Sequence, residues 1–556
     1  MEFKGIPLEV KMHLDGAQEA AIGLPPVKKV LPFYKANQLD QEKKYEEAEV
    51  IYKDLLNEDF NNTVVLSALG MNYAIRGLHG LANALLSRAL ELFDGFDKGL
   101  AAVGVDFKGD DKARAIFTKM KKSEIMNAIG TTWKHENKVP QARYWFEKAQ
   151  AVLGAPNADI QNNLATLYIN EGSPIKAMEH LDLAIQLDPK HSQAHWNRSL
   201  ANLELGHYEI GFAEYGWGKR AEVRMTRNYA AHEIPEWDGS PGKTVVVYGE
   251  QGIGDEIMFA SLIPEMVRDC KQVVFDCHKK LHRLFAASFP MIDIYPTRED
   301  ENITWPVHIE NGKHVSRYPF DARIAIGDVP KFYRKKIEDF PGTPYIRCTP
   351  KSEVKWGKIL AEKFNDGKPV IGINWIGGHK KTRVEVRSMQ LEQWLPILKL
   401  DAHFVSLQYT EGCEDEIRAF ESKHGIQIHH WKDAAQSDHY DDAAGVVANL
   451  DLMLTCCSSI VHLAGAMGVP TWVLTPSRPA WRYRLDLDYM PWYGKTVTLF
   501  RQKPDTVDWE PVIAEVASNL GELINVRQVQ SGPQGDGADG GIAEAGCAAE
   551  SHSSAV

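Results

Sequence analysis

A repeat in the first part of this chain constrains its fold more than any other feature of the sequence. Each copy is marked by one small residue: Ala48, Ala82, Ala142, Ala177 and Gly211. The period is about 34 residues and is interrupted once. Small residues let two antiparallel helices approach closely, and each helix pair leaves an apolar face that the next pair covers. The period therefore predicts an α-helical solenoid over residues 29–222.

Other positions repeat in step with this marker. They are Leu69, Gly70, Tyr73, Leu86 and Ala89, then Ile129, Gly130, Trp133, Phe146 and Ala149, then Leu164, Ala165, Tyr168, Leu181 and Ala184. This register resembles the tetratricopeptide repeat, and the resemblance implies a surface that binds a protein partner. Residues 93–115 interrupt the period, and they form either a loop or an extended helix between two copies.

The charge and cysteine content exclude several classes of protein. The 63 Lys and Arg against 75 Asp and Glu give a net charge of −12, which argues against general binding to nucleic acid, although a local basic groove stays open. The seven cysteines are unpatterned, which predicts reduced thiols and no zinc site. No signal peptide and no membrane-spanning apolar run is visible. We expect a soluble, cytoplasmic protein.

After the repeats the pattern changes to alternating strands and helices. The linker PEWDGSPGK precedes the β-branched run KTVVVYG, and strands and helices then alternate in two successive cycles, the second starting after Pro350. Such alternation predicts parallel sheets. The fold class is therefore α + α/β, a solenoid followed by two facing Rossmann lobes. We divide the rest of the chain as follows: extension 1–28, lobes 223–350 and 351–528, and a small, polar, disordered tail 529–556.

The segment GEQGIGDEIMFASLIPEM directly follows the first predicted strand. Gly252 and Gly254 allow a tight turn with positive φ or a close approach of a ligand to the backbone, and Asp255 stands where a helix begins. A dinucleotide-binding G-x-G-x-x-G is the rival reading, but the third glycine is replaced by Ile257.

This segment resembles the start of the heptosyltransferase-like glycosyltransferases of family 9, and more closely the proteins in which tetratricopeptides precede that fold. The resemblance implies a GT-B architecture, a nucleotide-sugar donor held by the second lobe, an acceptor held by the first, and no metal or other cofactor. It also implies that Asp255 is the catalytic base. The alternative is that Asp255 only caps the helix.

A second segment, INWIGGHKKTRVEVRSMQLEQW, places cations behind a glycine turn at the end of a predicted strand. Gly377, Lys380, Lys381 and Arg387 are the candidates, because ligands bind beyond the carboxyl ends of strands and cations suit a diphosphate. The R-S-x-x-L-x-x-W portion resembles the family segment that meets the donor phosphates. A solvated basic loop is the alternative. Gln408, at the end of the strand HFVSLQY, is a further donor-binding candidate.

The third segment, LDLMLTCCSSIVHLAGAMGVPTWVL, carries the strongest signal. An apolar strand ends at Cys457, and Ser458 and Ser459 begin a helix whose free amides suit a phosphate. It resembles the donor-binding signature of the family, in which His462 matches the histidine. A buried core histidine is the alternative.

One departure from that signature concerns Cys457, which stands where the family has an acidic residue that positions the donor. The departure puts the donor, and activity itself, in question. Use of Cys457 as a nucleophile is an alternative, but no histidine and acid are arranged to activate it.

A fourth segment, PSRPAWRYRLDLDYMPWYGKTVTLFRQ, resembles a stretch that follows the donor site in the family. Trp481, Arg482, Trp492 and Tyr493 are either ligand contacts or core residues. The D-x-D at Asp486 is not expected to bind a metal, because helix dipoles and cations can neutralise a leaving diphosphate.

These motifs together predict a glycosyltransferase that moves a sugar from a nucleoside diphosphate to a hydroxyl of a protein or glycan. The repeats would recruit the acceptor or a protein partner. The alternative is a scaffold in which the transferase fold has lost catalysis and only binds.

Overall fold

This computed structural model describes residues 27–102, 111–230, 232–301, 303, 305–378, 383–504 and 506–531. Predictions made for residues 1–26, Lys380, Lys381, Cys547 and the tail from 532 onward lie outside the described residues. The first helix begins at Val27, two residues before the predicted solenoid boundary. The last helix ends at Ser531, and the tail predicted from 529 stays a prediction.

Helices follow one another through the first part of the chain. They are α1 (Val27–Gln41), α2 (Tyr45–Glu58), α3 (Thr63–Ile75), α4 (His79–Glu91), α5 (Phe96–Ala102), α6 (Asp111–His135), α7 (Val139–Leu153), α8 (Ala158–Asn170), α9 (Pro174–Leu187), α10 (Ser192–Leu205), α11 (Tyr208–Tyr215) and α12 (Trp217–Arg220). Helices α1 and α2, α3 and α4, α6 and α7, α8 and α9, and α10 and α11 pack as pairs. The predicted solenoid is therefore present.

Small residues at the helix crossings explain the repeat. A methyl group added at Gly130 would lie 2.5 Å from Phe146 Cε1, and one added at Gly70 would lie 2.8 Å from Leu86 Cγ. The interruption of the period contains the short helix α5 and the first residues of α6, which has 25 residues and extends the first helix of its pair. The extended-helix alternative is therefore correct from Asp111 onward.

The first α/β lobe contains a four-stranded parallel sheet in the order β3-β2-β1-β6 and a separate β4-β5 hairpin. Its elements are β1 (Thr244–Tyr248), α13 (Ile253–Phe259), α14 (Ile263–Asp269), β2 (Gln272–Asp276), α15 (His282–Ser288), β3 (Asp293–Tyr295), β4 (Val307–Glu310), β5 (Lys313–Ser316), β6 (Ala322–Ala325) and α16 (Pro330–Tyr333). All five residues of β1 are buried, as expected for a β-branched strand covered on both faces.

The second lobe contains a seven-stranded sheet in the order β12-β13-β11-β10-β7-β8-β9, parallel except for β12. Its elements are α17 (Pro350–Lys363), β7 (Val370–Asn374), α18 (Val384–Arg387), α19 (Leu395–Leu398), β8 (His403–Ser406), α20 (Cys413–His424), β9 (Ile428–His430), α21 (Lys432–Ala435), α22 (Tyr440–Val447), β10 (Leu452–Cys456), α23 (Ser459–Met467), β11 (Thr471–Thr475), β12 (Tyr489–Met490), β13 (Gly494–Arg501) and α24 (Glu510–Ser531).

One apolar core joins the end of the solenoid to both lobes. Phe212 of α11 packs against Trp481 and Trp492 of the second lobe, with ring centroids 6.0 Å and 6.3 Å apart. A buried polar network reinforces this joint. Arg224 pairs with Asp328 and Glu250 of the first lobe and donates a hydrogen bond to the Tyr215 carbonyl oxygen of α11 at 2.7 Å, and Lys219 Nζ of α12 lies 2.7 Å from Asp328 Oδ2. The last repeat is thus built into the α/β module.

Candidate active site

Each sheet reverses its strand order at one point, and these two points frame the candidate site. The chain winds outward from β1 to β3 and then places β6 on the other side of β1. In the second lobe it winds from β7 to β9 and then places β10 on the other side of β7. Loops that leave neighbouring strands in opposite directions open a crevice that suits a ligand. The first, second and third sequence motifs all leave strands at these two points.

The turn of the first motif differs from its prediction in one respect. Gly252 has a φ of −88°, and the left-handed residue is Gln251, with a φ of 58°. Gly254 is needed for a different reason. A methyl group there would lie 2.7 Å from His462 Cδ2 and 3.2 Å from Ser459 Cα. The absence of a side chain at Gly254 therefore lets the starts of α13 and α23, one from each lobe, touch.

Asp255 lies at this junction of the two lobes. Its Oδ2 accepts a hydrogen bond from the Gly252 amide at 3.2 Å, so Asp255 caps the start of α13. Its Oδ1 forms an ion pair with Arg482 Nη2, which comes from the second lobe. Capping uses one oxygen and the ion pair uses the other, so the carboxylate bridges the crevice in this structure.

His462 is buried on the opposite side of the junction, and its Nδ1 lies 2.9 Å from the Tyr493 hydroxyl. Burial lowers the pKa of His462 well below its ordinary value, and the nearby Arg482 and Arg387 lower it further. The imidazole is therefore neutral at pH 7 and serves as a hydrogen-bonding group.

The start of α23 combines two serines with different roles. Ser458 is the N-cap, and its Oγ accepts a hydrogen bond from the Ile460 amide at 3.3 Å. Ser459 Oγ lies 2.6 Å from the Tyr440 hydroxyl, which fixes its rotamer. The helix dipole places partial positive charge at this end, directly beside Asp255 and Arg482. This end of the crevice suits an anion.

Gly377 belongs to the same crevice from the β7 side. A methyl group at Gly377 would lie 2.4 Å from the Cys457 carbonyl oxygen, so the loops after β7 and β10 can meet only with glycine there. Its amide donates to Ser388 Oγ at 3.1 Å. Arg387 is the last residue of α18. Its guanidinium lies close enough to His462 and Cys457 to lower the pKa of both side chains. The second and third motifs therefore converge.

Gln408 is fully buried, and its side chain is used within the protein. Its Oε1 accepts from Asn374 Nδ2 at 2.9 Å and from the amides of Trp375 and Ile376, while its Nε2 donates to Thr410 Oγ1 at 3.0 Å. The predicted contact of Gln408 with a donor stays a prediction. Gln408 braces the ends of β7 and β8 beneath the crevice.

Cys457 is buried near the guanidinium groups of Arg387 and Arg482. Burial raises the pKa of its thiol to about 11, against the opposing effect of Arg387. The thiol is therefore protonated at neutral pH, and a role as a nucleophile has no support, since the thiolate is the reactive form.

The aromatic residues of the fourth motif belong to the core. Trp481, Trp492 and Tyr493 are buried, and Arg482 of this motif pairs with Asp255 across the junction between the lobes. Asp486 Oδ2 lies 2.7 Å from Arg484 Nη2, which accounts for the first acid of the D-x-D. Within the described ranges, no group of three or more His, Cys, Asp or Glu side chains is placed to hold a metal ion.

The sequence motifs did not single out Glu256, which follows Asp255. Its carboxylate is buried, lies 2.7 Å from Arg298 Nη1 and accepts from the His278 amide at 2.8 Å. Burial raises its pKa to about 7, although Arg298 acts in the opposite direction. The only local signal was a second acid on an otherwise apolar helix.

Comparison with known proteins gives likenesses to both parts of the chain. No family model matches it. It is 29% identical to protein FlbA of Caulobacter vibrioides over 424 residues, which cover 67% of this chain and 69% of FlbA. In the described part of the chain, no helix is both long and apolar enough to cross a membrane.

Two solved structures resemble one part each. A glycosyl transferase family 9 protein from Veillonella parvula is 11% identical, with a TM-score of 0.36, over 53% of this chain and 99% of its own. A tetratricopeptide protein of Thermus thermophilus is 20% identical, with a TM-score of 0.24, over 34% of this chain and 89% of its own. By its own helix pairs and sheet orders, this chain is a tetratricopeptide-type solenoid followed by a double-Rossmann module of the GT-B type.

Proposed function

We propose that this protein transfers a sugar from a nucleoside diphosphate to a hydroxyl group of an acceptor. One observation carries the proposal: the starts of α13 and α23 touch at the junction of the lobes, and Asp255, Arg482 and His462 surround the point of contact. A carboxylate, a guanidinium and helix amides at one crevice supply what a sugar transfer needs, namely a base for the acceptor and a binding site for the leaving diphosphate.

The donor diphosphate is proposed to bind at the start of α23. The amides of its first turn and the guanidinium of Arg387 provide hydrogen bonds and positive charge to the phosphate oxygens. Gly377 stays a predicted donor contact, and it lets the loop after β7 pack against Cys457, just before the start of α23. Lys380 and Lys381 stay predicted counter-charges. The neutral His462 offers its Nε2 to the donor, since its Nδ1 already contacts Tyr493.

Asp255 is proposed to act as the base. The acceptor oxygen attacks the anomeric carbon, its proton passes to an Asp255 carboxylate oxygen, and the bond from the anomeric carbon to the phosphate oxygen breaks. The electron pair of that bond leaves with the nucleoside diphosphate. Because Arg482 pairs with Asp255 in this structure, the diphosphate has to draw Arg482 away before the base is free. Donor binding would thereby prepare the base.

The solenoid is proposed to recruit a protein acceptor or a protein partner, and a glycan acceptor is the alternative. Support comes from the helix pairs, which continue directly into the module that contains the crevice. A solenoid surface is suited to an extended ligand, because its repeats stack in one direction.

A catalytically inactive scaffold is the second candidate function. It is favoured by Cys457, which leaves no carboxylate at the position where the resembled family has one. The two candidates differ in a direct way, because a scaffold needs no nucleotide in the crevice.

Calorimetry with UDP-, GDP-, ADP- and CMP-sugars tests the proposal. We expect one nucleotide series to bind, and Arg387→Gln to weaken that binding by about 10- to 150-fold, since a charged hydrogen bond to phosphate contributes roughly 1.5–3 kcal/mol. Arg418→Gln is the matched control, because Arg418 is exposed on α20 and forms an ion pair with Asp415 on the same helix. Folded protein that binds no nucleotide, or equal affinities of the wild type and Arg387→Gln, would contradict the donor site.

A further inference from the structure

The last repeat reaches the turn that carries Asp255 through one side chain, Tyr215 at the end of α11. Tyr215 is fully buried, and its ring lies between the lobes. The ring centroid lies 6.1 Å from that of Phe259 and 6.1 Å from that of Trp481. Phe259 is on the same helix as Asp255, and Trp481 directly precedes Arg482. The ring of Tyr215 therefore supports both halves of the Asp255–Arg482 pair.

The Tyr215 hydroxyl accepts a hydrogen bond from Gln251 Nε2 at 3.0 Å. Gln251 is the residue of the turn with a φ of 58°, a conformation that residues other than glycine rarely adopt unless their surroundings hold them. Its carbonyl oxygen accepts from Arg298 Nη2 at 3.1 Å. Two bonds thus hold Gln251 in place, one from the first lobe and one from the solenoid.

Tyr215 is itself held firmly. Its carbonyl oxygen accepts from Arg224 Nη1 at 2.7 Å, and the Arg224 guanidinium lies 4.3 Å from its ring. Arg224 is in turn fixed by Glu250, the residue before Gln251. Tyr215 and the turn therefore share a single rigid set of contacts, and a shift of α11 is transmitted to Gln251.

We propose that Tyr215 is a positioning residue, supplied by the tetratricopeptide solenoid, for the turn that presents Asp255. This inference rests on the proposed function of Asp255 as a base. A positioning role of Tyr215 makes the solenoid part of the catalytic unit, in addition to its proposed recruitment of a ligand. A partner that moves α11 would therefore change the rate of transfer without touching the donor.

Tyr215→Phe is the most informative variant, because it keeps the ring and removes only the hydroxyl. Turnover at saturating donor and acceptor should fall about tenfold, since a small misplacement of a reacting group is costly. Donor affinity should stay within about twofold, because the first-turn amides of α23 are unaffected. Gln251→Ala should show the same loss, and the double variant should lose no more than either single variant, because all three remove one hydrogen bond.

Tyr208→Phe is the matched control, since Tyr208 lies on the same helix and its hydroxyl accepts from Arg484 Nη1 at 2.9 Å, away from the turn. Its turnover should equal that of the wild type. Amide hydrogen exchange over residues 249–256 should rise in Tyr215→Phe and not in Tyr208→Phe. Unchanged turnover in Tyr215→Phe, or equal losses in both variants, would overturn the positioning role. A wild type without any turnover would instead overturn the proposed function, and the exchange measurement would then decide the coupling alone.

Discussion

His462 shows how the surroundings of one residue set its charge in the crevice. Its imidazole is 4% exposed and lies near the guanidinium groups of Arg482 and Arg387. Removal from water and two neighbouring positive charges both disfavour the imidazolium form. A neutral His462 can accept a hydrogen bond from a nucleotide sugar, or donate one to it, without adding a charge to a cationic site.

This neutrality predicts a pH dependence of stability. The unfolded chain binds a proton at His462 below about pH 6.5, and the folded chain does not, so the folded state loses stability as the pH falls through that value. His462→Gln should escape this loss. The unfolding free energy of the wild type relative to His462→Gln should drop by about 2 kcal/mol between pH 7 and pH 5.

Urea denaturation of both proteins at the two pH values measures this difference. A difference that stays constant between pH 7 and pH 5 would show that His462 gains a proton in the folded state and would contradict a neutral imidazole in the crevice.

At the scale of elements, the contact between α13 and α23 defines the site. Each helix follows a strand at the point where its sheet reverses order, so both helix starts face the same crevice. Gly254 makes the contact sterically feasible, with His462 and Ser459 as its neighbours. The two lobes thus meet where their partial positive charges add.

Gly254→Ala should disturb this contact. The added methyl group would lie 3.2 Å from backbone at Ser459 Cα, so the lobes have to shift. We expect a loss of about 1–3 kcal/mol of unfolding free energy, typical of overpacking, together with a fall in turnover. Gly80→Ala is the control, because outside its own helix no described heavy atom lies within 4 Å of a methyl group there. Gly80→Ala should retain full stability in the same denaturation experiment, and a Gly254→Ala protein as stable as the wild type would contradict the close approach.

The elements themselves could be predicted because their signals are local. Small residues recur within each helix pair, and the strands are short apolar runs between helices. The pairing of Asp255 with Arg482 could not be predicted, since these residues are 227 positions apart and no pattern in either segment indicates a contact with the other. The hydrogen bonds of the buried Gln408 side chain could not be predicted for the same reason. The three groups that donate to its Oε1 lie more than thirty positions away, at the end of β7 and just after it.

At the scale of the whole molecule, the solenoid and the module form one body around a shared core. Tyr208, Phe212 and Tyr215 belong to the same buried apolar cluster as residues of both lobes. The sequence predicted a boundary after residue 222, and Arg224, just beyond it, pairs with Glu250 and Asp328 of the first lobe and donates a hydrogen bond to the Tyr215 carbonyl oxygen of the solenoid. The proposed recruitment of an acceptor by the repeats would therefore be mechanically linked to the proposed transfer in the crevice.

The most direct test of the central claim is turnover by Asp255→Asn, measured beside donor binding by the same protein. The amide keeps the size of the side chain and the helix cap but cannot take a proton. We expect donor affinity to stay within about threefold and transfer to fall by at least about a hundredfold, the range that loss of a general base produces. Transfer by Asp255→Asn at the rate of the wild type would show that the base lies elsewhere, and the mechanism proposed for this crevice would be wrong.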